Sequence, residues 1–418
     1  LAAAGTLVFY FWTRLNLFPF RAGKKRASLP VKKRLQIMMG GRFLCYAGLW
    51  ALALEIPAVL LTFFVFRRTV LPLPLFIGNT VYGIACAGFV LLNGILRIFC
   101  TSRRLSVFWR LAMILCMWVP LVNLAVLLCA CRLVYEEYDF ALYKENLHLT
   151  RVDSELCKTT YPLVLVHGVL FRDLKYFNYW GRIPRELIRN GAKIYYGNQE
   201  AVGTIVSNAE ELRNTIHAVL EETGAEKVNI IAHSKGGLDA RYAISRLGMA
   251  DKVASLTTIS TPHRGCRFVD KACKLPEGLY RGLAKLFDNT FRKLGDKQPD
   301  FYTATRQFAT ADSDAFNQST PDAPGVYYQS YMTTMKNAAS DPVLALPWLM
   351  IKPLEGDNDG LVSVDSAVWG EFRGVLESGS RRGISHGDII DLKRADYKGF
   401  DVLEAYVGIV ADLKDKGF

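Results

Sequence analysis

Acidic residues are almost missing from the first third of this chain: Leu1 to Arg132 holds 16 lysines and arginines and one acid, Glu55. The rest holds 35 basic and 38 acidic residues, so the formal net charge of +12 belongs wholly to the N-terminal part. The basic residues there alternate with long apolar runs, which argues against nucleic acid as a partner, because phosphate binders place Lys and Arg on solvated faces. No Cys-x-x-Cys spacing occurs, so a zinc site of ordinary pattern is excluded. Six of the nine cysteines (Cys45, Cys86, Cys100, Cys116, Cys129, Cys131) lie in the apolar part, where Cys acts as a small hydrophobe. The other three, Cys157, Cys266 and Cys273, cannot all pair internally. Internal repeats and low-complexity tracts are also lacking, which excludes solenoid architectures.

Three apolar runs stand out: Phe43 to Phe66, Val70 to Leu96 and Leu111 to Cys131. Each is long enough to cross a hydrocarbon core, which needs about 20 helical residues. A fourth, Leu1 to Phe20, is interrupted by Arg14 and reads as a further span or an interfacial helix. It has no basic leader before it and a basic segment after it, unlike a signal peptide. Arg21, Lys24, Lys25, Arg26, Lys32, Lys33, Arg34 and Arg42 precede the first firm span, and Arg97, Arg103, Arg104 and Arg110 separate the second from the third. Only Arg67 and Arg68 occupy the other loop. The positive-inside rule makes the two rich clusters cytoplasmic. Three crossings then place everything after Arg132 on the extracytoplasmic side of a multi-pass cell-membrane protein. Glu55 within a span is followed by Pro57 and reads as a packing or kink position.

The expected organisation is an all-α transmembrane region over 1–135, a polar linker over 136–160, and an α/β domain over 161–418. In the last, Pro162 to Val166, Ala192 to Tyr196, Val228 to Ala232 and Val253 to Ile259 read as buried strands. Asn208 to Glu222 and Leu238 to Leu247 read as the helices between them, so the fold class is α/β with a mostly parallel central sheet. Leu279, Leu283, Leu286, Phe287, Phe291 and Leu294 recur at helical spacing with Arg281, Lys285, Arg292 and Lys293 interleaved. That is an amphipathic helix, suited to covering a site and touching lipid or to packing as an ordinary surface helix.

Chemistry concentrates in Ala232-His233-Ser234-Lys235-Gly236-Gly237, between a strand and a helix. A sharp strand-to-helix turn lifts a serine hydroxyl clear of the sheet, and small residues two before and two after leave room for it. Such a serine needs a base, and the base an acid, in the chain order Ser, acid, His. Asp359, within Asn358-Asp359-Gly360, and His386, within Ser385-His386-Gly387-Asp388, meet that order. His386 alone among six histidines lies downstream of Asp359; Asp357 and Asp365 are rival acids. His167-Gly168-Val169 after the first strand of this domain, with Lys235 after the serine, offers amide N–H groups for an oxyanion. His233 and His263 are expected to support the turn and a loop, and His148 and His217 to lie at the surface.

The stretches Tyr161-Pro162 to His167-Gly168, Lys227 to Tyr242 and Ile259-Ser260-Thr261-Pro262-His263-Arg264-Gly265 resemble the Pseudomonas and Burkholderia triacylglycerol lipases. The resemblance runs from Tyr161 to the C-terminus and implies an α/β-hydrolase fold. It implies the triad Ser234, Asp359 and His386, an oxyanion hole of the Val169 and Lys235 amides, and a lipid or other acyl-ester substrate. It also implies a structural calcium, held by Asp341 and Asp388 with backbone carbonyls near Leu392 and Asp396, and no organic cofactor. The Asn-Gln that follows in the family is replaced by Asp391-Leu392, and the family's cysteine after the Asn-Asp-Gly block is replaced around Val364-Asp365, so its disulfide is expected to be missing. The same triad also serves acyl transfer to an alcohol or amine and amide cleavage, and an inactive hydrolase-like membrane scaffold is the rival from another class.

Overall fold

A computed structural model describes residues 2–20, 32–66, 72–151, 153–170, 178–274, 276–397 and 399–418. The basic residues Arg21, Lys24, Lys25, Arg26, Arg67 and Arg68, and the first residues of the second apolar run, lie outside these. The chain forms two compact units, Leu1–Thr150 and Arg151–Phe418.

The first unit is helical: α1 (Ala2–Leu17), α2 (Lys33–Leu61), α3 (Leu73–Thr101), α4 (Val107–Leu115) and α5 (Pro120–Arg151). Two helical stretches, Lys33–Phe64 and Leu73–Thr101, are long and apolar enough to cross a membrane. They pack through small residues. A Cβ at Gly48 would meet Leu91 Cβ at 2.7 Å, and one at Gly94 would meet the backbone of Cys45 at 2.6 Å, so glycine permits the close approach. Glu55 lies against α3, where a Cβ on Gly83 would meet its Cδ at 2.8 Å. That fits the packing position expected for it, and α2 continues through Pro57. The outward faces are apolar, with Trp50, Leu54, Ile56, Tyr82 and Phe89 all exposed.

The third apolar run does not form one span. Leu111 to Cys131 is divided by a 3-10 turn over Cys116–Trp118 and by Val119, whose extended backbone precedes Pro120. Proline disfavours helical backbone in the residue before it. The expected linker from Glu136 is also helical, the second half of α5. Glu137 is buried rather than solvated: it accepts from Arg34 at 2.6 Å, Ser102 Oγ at 2.7 Å, and the Arg103 and Arg104 amides at 2.9 and 3.1 Å. Arg42 Nε donates to the Cys131 carbonyl at 3.2 Å. These bonds tie the start of α2, the end of α3 and the middle of α5 together.

The second unit is a six-stranded, wholly parallel sheet in the order β2-β1-β3-β4-β5-β6. The strands are β1 (Leu163–Val166), β2 (Ile194–Tyr196), β3 (Val228–His233), β4 (Val253–Ile259), β5 (Tyr327–Thr333) and β6 (Glu371–Leu376). The helices are α6 (Ile183–Arg189), α7 (Ile205–Thr223), α8 (Lys235–Arg246), α9 (Arg267–Ala272), α10 (Glu277–Leu294), α11 (Phe301–Arg306), α12 (Thr310–Ser319), α13 (Ala345–Glu355), α14 (Val364–Ala367) and α15 (Val402–Asp415). Alternation along β1 divides the core: Leu163 and Leu165 cluster with Leu187, Tyr406 and Val410, while Val164 and Val166 cluster with Leu212, Ile216 and Ala240. Helices therefore cover both faces, and the carboxyl ends of β1 and β3 lie side by side. All nine cysteines are free.

Candidate active site

Ser234 sits between β3 and α8 with φ 54° and ψ −131°, a region that non-glycine residues avoid at a cost of about 1–3 kcal/mol. The turn is held by Ser234 N–H donating to the Ile259 carbonyl at 3.0 Å and Gly237 N–H to the Ser234 carbonyl at 3.1 Å. Gly236 lets α8 start against β1, since a Cβ there would meet the Val166 carbonyl oxygen at 2.7 Å. These features are the physical content of the small-residue motif read in the sequence.

His386 and Asp359, 27 residues apart, meet: His386 Nδ1 and Asp359 Oδ2 are 2.7 Å apart. The other carboxylate oxygen, Oδ1, accepts the Leu361 and Val362 amides at 3.0 and 2.9 Å. Asp359 is fully buried, and its carbonyl accepts the His386 N–H at 2.9 Å. Asp357 is exposed and ion-paired to Lys352, and Asp365 is exposed in α14, so neither rival acid faces the imidazole. The His386 ring lies 4.4 Å from that of His233, the residue preceding Ser234. Among the described residues the Ser234 hydroxyl has no hydrogen-bond partner. Val169 follows β1 and Lys235 opens α8, and among the described residues neither backbone N–H has a protein acceptor; first-turn helix amides lack an intrahelical one.

His167 is locked behind this edge, its ring nitrogens 2.8 Å from the Gly168 carbonyl and 2.9 Å from the Gln199 carbonyl. His233 shares a 2.6 Å hydrogen bond with the Tyr179 hydroxyl. Burial and the neighbouring His386 hold His233 well below the ordinary histidine range. His263, bonded to Thr258 and stacked on Trp369, is lowered in the same direction by burial and by Arg241. Burial thus disfavours the cationic form of both rings. The Lys235 side chain turns inward to Asp239 at 2.6 Å, with both groups 1% exposed. Burial pushes the Asp239 carboxyl up to about 6 against the pull of Lys235. Tyr179, Gln199 and Asp239 carry no motif of their own, and sequence reasoning missed them.

The residues read as a calcium site are differently engaged. Asp341 Oδ2 accepts Ser385 Oγ at 2.8 Å and Lys393 Nζ at 2.7 Å, and its Oδ1 accepts the Val343 amide at 3.2 Å. Burial raises the Asp341 pKa, but the Lys393 and Ser385 bonds outweigh it and leave it below the usual value. Asp388 takes Arg382 Nη2 at 2.8 Å on Oδ2 and 3.0 Å on Oδ1, with the Ser385 amide at 3.1 Å on Oδ2. Leu392 N–H donates to the Gly387 carbonyl and its side chain packs on the core. The Asp396 carboxylate pairs with Arg182 at 2.8 Å, beside the Arg182–Asp391 pair. Each carboxylate oxygen of Asp341 and Asp388 thus faces an N–H or O–H donor. Calcium takes six to eight oxygens at about 2.3–2.6 Å, so this donor set does not fit it.

Residues 160–265 match the family model described as Lipase (class 2). Triacylglycerol lipase 2 of Saccharomyces cerevisiae is 32% identical over 272 residues, covering 59% of this chain and 78% of the yeast protein. The triacylglycerol lipase of Vibrio cholerae is 32% identical over 243 residues, 51% of this chain and 76% of that enzyme. That of Pseudarthrobacter phenanthrenivorans is 36% identical over 179 residues, 40% of this chain and 55% of the enzyme.

Proposed function

The chain belongs to the triacylglycerol lipase family and is a serine ester hydrolase, and on that premise we propose that it cleaves acyl esters of lipids at a membrane through Ser234, His386 and Asp359. The observation that carries this reading is the buried Asp359–His386 pair, presented beside the strained Ser234 turn. His386 takes the Ser234 proton as the hydroxyl oxygen attacks the ester carbonyl; the Val169 and Lys235 amides receive the oxyanion. His386 then returns the proton to the leaving alcohol, and water, deprotonated by the same imidazole, releases the acyl group. Asp359 keeps the proton of neutral His386 on Nδ1, which leaves Nε2 free to accept.

The test is fluorophosphonate labelling and hydrolysis of a panel of acyl esters by the full chain in detergent. Wild type labels and turns over while Ser234→Ala does neither; labelling that survives in Ser234→Ala overturns the assignment. Cleavage of water-soluble esters alone, with lipid esters untouched, overturns the substrate class.

A membrane setting is supported by the apolar exposed faces of α2 and α3, surfaces that water would drive to aggregate. On α10, Leu279, Leu286 and Leu294 are exposed at helical spacing beside Arg281 and Lys285, a pattern suited to a lipid surface. The Leu283 side chain lies outside the described residues. In place of three crossings, we read α2 and α3 as two crossings followed by a re-entrant hairpin. The 12 residues Val107–Trp118 rise about 18 Å, short of the roughly 30 Å hydrocarbon core. Chain reversal at Pro120 brings Cys131 back to Arg42 and Glu137 back to Arg34 and Ser102. The chain thus leaves the bilayer on the basic, cytoplasmic side, opposite to the orientation that three spans predict. Protease added outside intact spheroplasts leaves a C-terminal epitope uncut under this reading; its removal overturns the hairpin.

A further inference from the structure

We propose that side-chain cations, Lys393 with Arg382, take the place of a divalent metal in holding the loop that carries His386, so that this enzyme folds and works without calcium. Asp341 and Asp388 are buried carboxylates, 5% and 1% exposed at the side chain, and bring two negative charges to one spot. Lys393 Nζ lies 2.7 Å from Asp341 Oδ2 and 3.7 Å from Asp388 Oδ1, and Arg382 binds both oxygens of Asp388. Two negative charges meet two positive ones and the cluster is neutral. A divalent ion added to it would meet an ammonium and a guanidinium already on its ligands, and like charges at that distance repel.

The cluster also supplies the connectivity expected of a metal. Asp341 precedes α13, whereas Asp388, Lys393 and Arg382 belong to the segment that follows β6. Lys393 bridges these two segments, and Arg382 Nε adds a bond to the Ser340 carbonyl at 2.6 Å. Ser385 is gripped from both sides: its hydroxyl donates to Asp341 and its amide to Asp388. His386 is the next residue, so its backbone is fixed by the cluster at Ser385 and by the Asp359 carbonyl at its own N–H. The guanidinium of Arg382 lies 4.3 Å from the Tyr397 ring centre, which holds the cation in place. Lys393 acts through His386 and is a positioning residue.

The positioning role rests on His386 being the general base, whereas metal independence does not, and the experiment separates them. Thermal unfolding and ester hydrolysis of the full chain are measured in millimolar calcium and in a chelator, for wild type, Lys393→Arg and Lys393→Met. Wild type is expected to show the same midpoint and the same rate, within about twofold, in both buffers. A midpoint that falls in chelator and returns with calcium overturns the proposal whatever the activity. Lys393→Met is expected to lose kcat by about tenfold or more with little change in KM, the signature of a misplaced base. Lys393→Arg, which keeps the cation, is expected to retain most of it. A Lys393→Met enzyme with wild-type kcat overturns the positioning role. If that variant does not fold, the wild-type comparison still decides metal independence, and the kcat of Lys393→Arg decides the positioning role: a loss as large as tenfold would overturn it.

Discussion

Substituting Asp359 by Asn separates charge from shape at the site. The carboxylate is not free to turn, because Oδ1 accepts the Leu361 and Val362 amides at 3.0 and 2.9 Å. In Asp359→Asn the carbonyl oxygen must keep that position, since the reverse rotamer would point an NH2 at two N–H groups. The amide NH2 then faces His386 Nδ1, where Oδ2 stood at 2.7 Å. Facing a donor, the imidazole carries its proton on Nε2, and a protonated Nε2 cannot take the proton of Ser234. The fold is unchanged while the base is held in the wrong tautomer. The comparable change in the chymotrypsin triad lowers kcat by about 10⁴. The same loss, about 5.5 kcal/mol of barrier at 1.36 kcal/mol per tenfold, is expected here. The assay is steady-state hydrolysis of a short-chain nitrophenyl ester, with the unfolding midpoint as the control for folding. Asp357→Asn, at the exposed Lys352 pair, should stay within about twofold. An Asp359→Asn enzyme within about tenfold of wild type would refute both the tautomer argument and the choice of acid.

Two further outcomes concern stability. His233 and His263 are buried neutral, so below their ordinary pKa near 6.5 the unfolded chain binds two protons that the folded chain refuses. Asp239 opposes them, since its carboxyl at about 6 takes a proton in the folded state before the unfolded chain does at 3.8. Between about pH 5.5 and pH 4.5 the net difference of one proton makes urea-unfolding free energy fall by about 1.4 kcal/mol per pH unit, and Asp239→Asn should double that slope; a flat profile would contradict the burial argument. Gly236→Ala would drive a Cβ into the Val166 carbonyl, 2.7 Å away, and overpacking of this kind costs about 1–3 kcal/mol. Calorimetry should show a midpoint lower by about 2–10 °C, and an unchanged midpoint would mean that α8 can move off β1.

The sequence was most legible where burial is simplest. β1 is a continuous apolar run because both its faces are covered, and β3 and β4 keep apolar or β-branched residues at most positions. β5 escaped notice because Gln329, Ser330 and Thr333 interrupt its apolar pattern, although all three are buried. Two of the three are satisfied inside the sheet layer, Gln329 by the Thr257 hydroxyl at 2.8 Å and Ser330 by the Trp369 carbonyl at 2.7 Å. β6, partly exposed at the sheet edge, alternates too weakly to register. The third apolar run misled because hydropathy has no term for the extended residue before Pro120. At the candidate site, chain order and local motifs single out Ser234, Asp359 and His386, and the fold pairs the last two. Lys393 could not, since the carboxylate that gives it meaning, Asp341, lies 52 residues upstream and only the fold brings them together.

A second histidine, His233, packs against His386. In the proposed mechanism the imidazole of His386 becomes a cation during attack, and its ring lies 4.4 Å from that of His233. At an effective dielectric near 20, two unit charges at that separation repel by about 4 kcal/mol, enough to slow the reaction nearly a thousandfold. That mechanism requires His233 to stay neutral whenever His386 is charged. Full burial opposes a proton on His233, and the Tyr179 hydroxyl engages its Nδ1 at 2.6 Å. Asp359 is buried at His386 Nδ1, with three hydrogen bonds directed at its carboxylate, so His386 has a negative partner there while a positive charge on His233 is disfavoured. The burial that makes His233 a liability to stability in acid is the same burial that disfavours a second positive charge beside His386.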